Sequence, residues 1–150
     1  MSMFRRVLAP VAVALSGLPA GPVTSVAHAT GAVGSFTPDG RRLVVTERAT
    51  NQIDLYAVGA DGLASGPAVF PSPGVTPFGF DFDRRGNVIV SEALGGGADA
   101  SAVSSLALQW TGGVSVISAS VPTTETAACW IATTNGCYAY AGNAGGSISG

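Results

Sequence analysis

The chain has 150 residues, of which 47% are hydrophobic and 11% charged, a composition that excludes a disordered polymer and suffices for one ordinary domain. All seven basic residues are arginines, and the formal net charge is −2, so no basic footprint for nucleic acid exists.

The first 29 residues differ from the rest. Arg5-Arg6 precede an apolar run from Val7 to Leu18, broken by Pro10 and Gly17, and Val26-Ala27-His28-Ala29 then has the small-x-small form of a cleavage site. This is the grammar of a signal peptide, and the run is shorter than the ~20 apolar residues of a membrane span. It predicts a secreted, periplasmic or cell-envelope protein; the alternative is an Ala/Val-rich leader without export function. Phe4-Arg5-Arg6-Val7-Leu8 matches the twin-arginine pattern only weakly. Cleavage after Ala29 would leave five Arg against nine acids and no His, excluding a Ser-His-Asp or Cys-His mechanism within residues 30–150.

Beyond the leader, one strand-turn-strand phrase occurs three times. Ser35-Phe36-Thr37-Pro38-Asp39-Gly40-Arg41-Arg42-Leu43-Val44-Val45-Thr46-Glu47 returns as Phe82-Asp83-Arg84-Arg85-Gly86-Asn87-Val88-Ile89-Val90-Ser91-Glu92. A looser copy runs from Trp130 to Asn143. Glu47 and Glu92 are 45 residues apart, and Gly86 and Gly136 are 50 apart, close to the roughly 40–50 of a four-stranded propeller blade. The reading is an all-β chain, a β-propeller fragment of about two and a half four-stranded antiparallel blades over residues 31–75, 76–125 and 126–150. A β-sandwich is the alternative, since short strands with Gly-rich turns fit it too.

Alternation and turn residues place the strands. In the first blade they are expected at 31–36, 42–47, 52–58 and about 68–70, with Asp39-Gly40 and Asp61-Gly62 as turns. In the second they are 78–82, 87–92, 102–108 and 114–120; in the third, 129–132, 138–142 and the start of another at 147–149. Leu43-Val44-Val45 and Val88-Ile89-Val90 are continuous apolar runs, expected where sheets cover a strand on both faces. If Asn135-Gly136 is a two-residue hairpin turn, Thr134 faces Cys137 and Cys129 faces Gly142. The sulfurs then lie on the order of 16 Å apart, and a disulfide needs Cα atoms within about 7 Å, so two free thiols are expected. Two and a half blades do not close a ring of four to eight, so self-association or further blades are needed to cover the open edges.

Gly79-Phe80-Asp81-Phe82-Asp83-Arg84-Arg85-Gly86-Asn87-Val88-Ile89-Val90-Ser91-Glu92-Ala93, with Ser101-Ala102-Val103-Ser104-Ser105 and Ile117-Ser118-Ala119-Ser120-Val121-Pro122, resembles the bacterial lactonase-family seven-bladed propellers, related to 6-phosphogluconolactonase and carboxymuconate cyclase. Ala128-Cys129-Trp130-Ile131 and Asn143-Ala144-Gly145-Gly146-Ser147-Ile148-Ser149-Gly150 resemble the next blade of the same proteins. The resemblance implies seven blades, of which this chain supplies fewer than three, and a small lactone or carboxylate as ligand.

In a propeller the loops after the second and fourth strands of each blade share the face around the channel mouth. That face is expected to carry Glu47, Arg48 and Asn51, then Glu92 and Asp99, then Glu125 and Asn143, with the loops 71–77 and 123–127. Lactone opening needs a base to activate water and a cation to stabilise the developing oxyanion. Glu47 or Glu92 is the candidate base and Arg48 the stabiliser, with Asn51, Glu125 and Asn143 as substrate-binding candidates. Glu47 and Glu92 occupy equivalent repeat positions, so a shared structural role is the alternative. Asp39, Arg41, Arg42, Asp83, Arg84 and Arg85 fall at turns on the opposite face, where Asp and Gly serve turn geometry. Phe36, Phe80, Phe82 and Trp130 lie on inner strands, where packing between blades is expected. Gly95-Gly96-Gly97 lacks the strand-to-helix context of a phosphate loop, and no cluster has metal-ligand spacing, so neither cofactor nor metal is expected. A non-catalytic binding module and a non-functional truncated remnant are the other readings.

Overall fold

Turn chemistry sets the strand boundaries in the computed structural model, which describes residues 31–134 and 138–150. At the first hairpin, Asp39 Oδ1 accepts hydrogen bonds from the Thr37 hydroxyl and the Arg41 amide, while Gly40 takes a φ of +69°. The second repeat does the same with Asp83 bonded to the amides of Arg85 and Asn87 and with Gly86 at +79°. Only glycine occupies that left-handed region without cost, which explains its return at this position.

Eleven strands follow among the described residues: β1 (Ala32–Phe36), β2 (Arg42–Glu47), β3 (Gln52–Val58), β4 (Ala64–Pro71), β5 (Pro77–Phe82), β6 (Val88–Glu92), β7 (Ala102–Leu108), β8 (Val114–Pro122), β9 (Ala128–Thr133), β10 (Ala139–Asn143) and β11 (Ile148–Ser149). They form three antiparallel meanders, β1-β2-β3-β4, β5-β6-β7-β8 and β9-β10-β11. The chain is all-β, with two four-stranded sheets and one of three strands, as a partial propeller requires.

Two expectations need correction. The fourth strand of the first blade starts at Ala64 rather than near 68, because Gly66 and Pro67 sit within it and weaken its sequence signal. Proline is tolerated there because an outer strand needs no ladder donor on its free side. In the third blade the pairing is shifted by one residue: Thr133 faces Ala139, the Thr134 amide bonds to the Tyr138 carbonyl, and Gly142 faces Trp130. Cys129 falls in the irregularity between the Trp130–Gly142 and Ala128–Asn143 pairs, and it is a free thiol whose Sγ donates to the Ala127 carbonyl. Cys137, the Asn135-Gly136 turn and the leader lie outside the described residues.

Strand alternation decides which side chains meet between blades. Val44, Ile53 and Leu55 of the first sheet join Val88, Val90 and Leu106 of the second in one buried cluster, with Phe70, Phe80 and Phe82 packed against it. Each fully buried aliphatic side chain contributes roughly 1.5–3 kcal/mol. The Thr46 hydroxyl crosses the same boundary, donating to the Phe78 carbonyl at 2.7 Å. The second and third sheets are joined by Thr133, whose amide and hydroxyl donate to Asp81 Oδ2 at 2.8 and 2.9 Å. At Gly79 a Cβ would lie 2.3 Å from the Cys129 carbonyl oxygen, so glycine is what lets β5 approach β9 so closely. The outer faces are open: Phe36 and Val69 on one end, Trp130, Tyr140 and Ile148 on the other, are exposed. Phe36 therefore does not pack between blades, whereas Phe80 and Phe82 do, and Trp130, though largely exposed, meets the Phe78 ring of the second blade.

Candidate functional site

One repeat position organises the mouth face. The second strand of each blade ends in Glu47, Glu92 or Asn143, and on the same sheet face the next strand presents Asp54, Ser104 or Ser149 opposite the neighbouring Val45, Val90 or Ala141. In all three blades the two side chains bond to one another.

The three pairs differ in chemistry. Glu92 is fully buried; Ser104 donates to its Oε1 and Ser120 to its Oε2, each at 2.6 Å, and the backbone of Gly74 lies directly on the carboxylate. A base that must reach water and substrate cannot work from this position, so the geometry assigns Glu92 a structural part. Glu47 is half-buried, accepts the Thr50 hydroxyl and hydrogen-bonds Asp54. Burial raises the Asp54 carboxyl above its ordinary value, and the Glu47 carboxylate beside it adds to the rise. A like charge beside a buried carboxyl favours that carboxyl's protonated form. Burial also raises the Tyr56 phenol, helped by Asp54 and Glu47. Asp54 escaped the sequence reading, since an acid within an apolar strand carries no motif.

Arg48 follows Glu47 but belongs to another group. Its guanidinium sits 5.0 Å from the centre of the Phe78 ring, and the Phe78 ring in turn lies 5.3 Å from that of Trp130. The backbone of Gly31 closes on the guanidinium, where a Cβ would meet it at 2.6 Å. The result is a row of cation and two aromatic rings along the inner strands of the second and third blades, ending in Trp130, which is 61% exposed. Phe78 was missed because Pro77-Phe78 at the head of β5 looks like any strand start.

The remaining candidates tie loops together. Asn51 accepts the Thr76 amide on its Oδ1 at 2.7 Å, and its carbonyl accepts the Ser72 amide, clamping the β2–β3 loop to the β4–β5 loop. The Asp99 amide donates to the Thr126 hydroxyl. Glu125 and Asn143 are brought together through Ser147, which donates to Glu125 Oε2 at 2.7 Å and accepts from Asn143 Nδ2 at 3.2 Å. Asn143 Oδ1 is buried and has no partner. The structure thus joins Glu125 to Asn143 and Glu47 to Asp54, but it does not bring Glu47, Arg48 and Glu92 into one pocket. Among the described residues no three His, Cys, Asp or Glu side chains gather to hold a metal, and no helix is long and apolar enough to cross a membrane.

The fold has a solved counterpart. A crystal structure of a functionally unknown protein from Desulfotomaculum acetoxidans DSM 771 superposes with a TM-score of 0.64 at 19% identity, over 80% of this chain and 41% of that one. The likeness is one of fold alone, and the chain spans about two fifths of that neighbour's length. No family model and no curated protein matches the chain.

Proposed function

We propose that residues 30–150 are part of an exported, lactonase-like propeller that holds a small lactone or carboxylate at its mouth face, with Arg48 as the anion-binding group. The observation that carries this reading is the row of Arg48, Phe78 and Trp130: a planar cation set on one aromatic ring beside a second, exposed ring. Guanidinium matches a carboxylate in two-pronged fashion, and an aromatic face accepts the apolar side of a small ring. The sequence resemblance to lactonase-family propellers supports the ligand class, and the leader supports export. Of the two candidate bases, Glu47 is the one left to activate water, with Asp54 as its hydrogen-bonded neighbour.

A second reading, a propeller that binds without catalysis, is favoured by the separation of the candidates, since Glu47, Arg48 and Glu92 each engage different partners. Calorimetric titration of the full chain with gluconate, alongside an assay of gluconolactone opening, separates the two. Binding lost in Arg48→Ala together with hydrolysis lost in Glu47→Gln supports the enzyme. Binding lost in Arg48→Ala without any hydrolysis supports the binding module. Binding that survives Arg48→Ala unchanged overturns the assignment of this rim.

A further inference from the structure

The face opposite the mouth carries a feature that turn geometry does not explain. Asp39, Gly40, Asp83 and Gly86 are accounted for by the two equivalent turns, but the arginine pairs beside them, Arg41-Arg42 and Arg84-Arg85, are not. A cleft of about 580 Å³ opens between these turns, walled by Arg42, Arg84, Arg85, Phe82, Leu108 and Trp110. That volume lies within the roughly 300–1,000 Å³ of small-molecule sites.

The polar groups of the cleft are arranged for an anion. Two carboxylates, Asp39 and Asp83, also line it, but both oxygens of Asp83 and Oδ1 of Asp39 are engaged within their own loops, and three arginines line the cleft against the two acids. Asp39 Oδ1 takes the Thr37 hydroxyl and the Arg41 amide, whereas Asp83 takes two amides on Oδ1 and Asn87 Nδ2 on Oδ2. The guanidinium groups of Arg84 and Arg85 stand exposed. Arg42 reaches across the blade boundary and donates to the Trp110 carbonyl at 3.1 Å, which fixes the turn that presents the Trp110 ring. That ring is 82% exposed, more than any other large apolar side chain described, beside the apolar wall of Phe82 and Leu108.

We infer that this cleft binds a small anion carrying a planar apolar ring, an aryl phosphate or aryl carboxylate, with Arg84 and Arg85 on the oxyanion and Trp110 on the ring. The planar guanidinium of arginine matches carboxylate and phosphate oxygens in two-pronged fashion and tryptophan suits stacked rings, so each half of the ligand has its own partner. The site is separate from the mouth face and does not depend on the function proposed there.

The test uses the full chain carrying Trp130→Phe, which leaves Trp110 as its single tryptophan reporter. Titration with phenyl phosphate and with benzoate is expected to give a saturable change in Trp110 fluorescence, and the stronger of the two identifies the oxyanion. Inorganic phosphate and phenol, each lacking one half, are expected to bind about tenfold or more weakly, as is phenyl phosphate to Arg84→Ala/Arg85→Ala. Both arginines are exposed, so that variant should keep the parent's melting behaviour; calorimetry on Trp110→Ala is the second check and should show the same loss. The inference is overturned by the absence of a saturable response at millimolar ligand, or by an affinity for phenyl phosphate in the arginine or the Trp110 variant that equals the parent's.

Discussion

Gly74→Ala should destabilise the chain by about 3 kcal/mol, although Gly74 sits in a loop and only one methyl group is added. A Cβ on Gly74 would fall 1.9 Å from Glu92 Oε2, 2.3 Å from Cδ and 2.5 Å from the Ser120 hydroxyl. These are not free side-chain ends that swing aside, because Glu92 is wholly buried and both its oxygens are held by serine hydroxyls at 2.6 Å. Either the loop lifts off, or the carboxylate gives up a charge-assisted bond worth about 1.5–3 kcal/mol; overpacking of this kind costs about 1–3 kcal/mol by itself. A loss of about 3 kcal/mol lowers the folding equilibrium roughly a hundredfold.

Urea unfolding of Gly74→Ala, of Glu92→Ser and of the double variant measures this directly. If the loop and the carboxylate are in contact, Glu92→Ser removes the obstruction and the double variant is less unstable than the two single changes summed, by more than about 1 kcal/mol. Additive effects, or a Gly74→Ala change below about 0.5 kcal/mol, would refute the contact and return Glu92 to the list of accessible acids.

The other expectations are more local. Asp54→Asn should alter the pH dependence of stability in one direction only. The Asp54 carboxyl is raised in the folded chain, so its contribution is present at acid pH and is lost as pH rises through the folded value; the Asn variant lacks that fall and gains on the parent towards neutrality, read from melts across pH 3–8. The reverse sign holds at Asp83. Partial burial pushes its carboxyl up, but bonds from Asn87 and Arg85 outweigh this and hold it below the ordinary value. Its contribution is thus present above the unfolded value and lost as pH falls through the folded one, a loss that Asp83→Asn should abolish. Thr46→Val should cost about 1–2 kcal/mol in urea unfolding, because the hydroxyl that bonds the Phe78 carbonyl is buried and its loss leaves that carbonyl without the bond. Leu106→Ala, at the centre of the cluster between the first two blades, should cost about 2–5 kcal/mol.

The strands were legible because each is bounded by a residue with one local meaning. Asp39-Gly40, Asp61-Gly62 and Gly86 mark turns whatever surrounds them, and the apolar runs 43–45 and 88–90 read as strands from their neighbours alone. What was not legible depends on partners distant in sequence. The burial of Glu92 comes from Gly74 and Ser120, and nothing around Glu92 announces either. Phe78 becomes part of a site only because Arg48 and Trp130 arrive from other blades. The one-residue shift between β9 and β10 is likewise invisible, since it is already set at the Thr134–Tyr138 and Thr133–Ala139 pairs beside the connecting loop, and alternation along each strand does not fix which residues face one another.

The internal repeat also supplies a control for the site. Glu47 and Glu92 occupy the same place in successive blades, yet one is half-buried and the other wholly so. The difference lies in what covers them. The second blade's face is overlaid by the first blade and its outgoing loop, which brings Gly74 onto Glu92, and no described sheet lies on the matching face of the first blade. A further blade packed there in the same manner would lay its own loop over Glu47. The accessibility of Glu47 therefore reports on that face being open as much as on catalysis. A base role demands more: hydrolysis must persist in an assembly where that face is covered. Arg48 is free of this ambiguity, since its contacts with Phe78 and Gly31 lie within the described blades. Of the residues read from the sequence, Arg48 is the one on which a functional test of this chain should first be made.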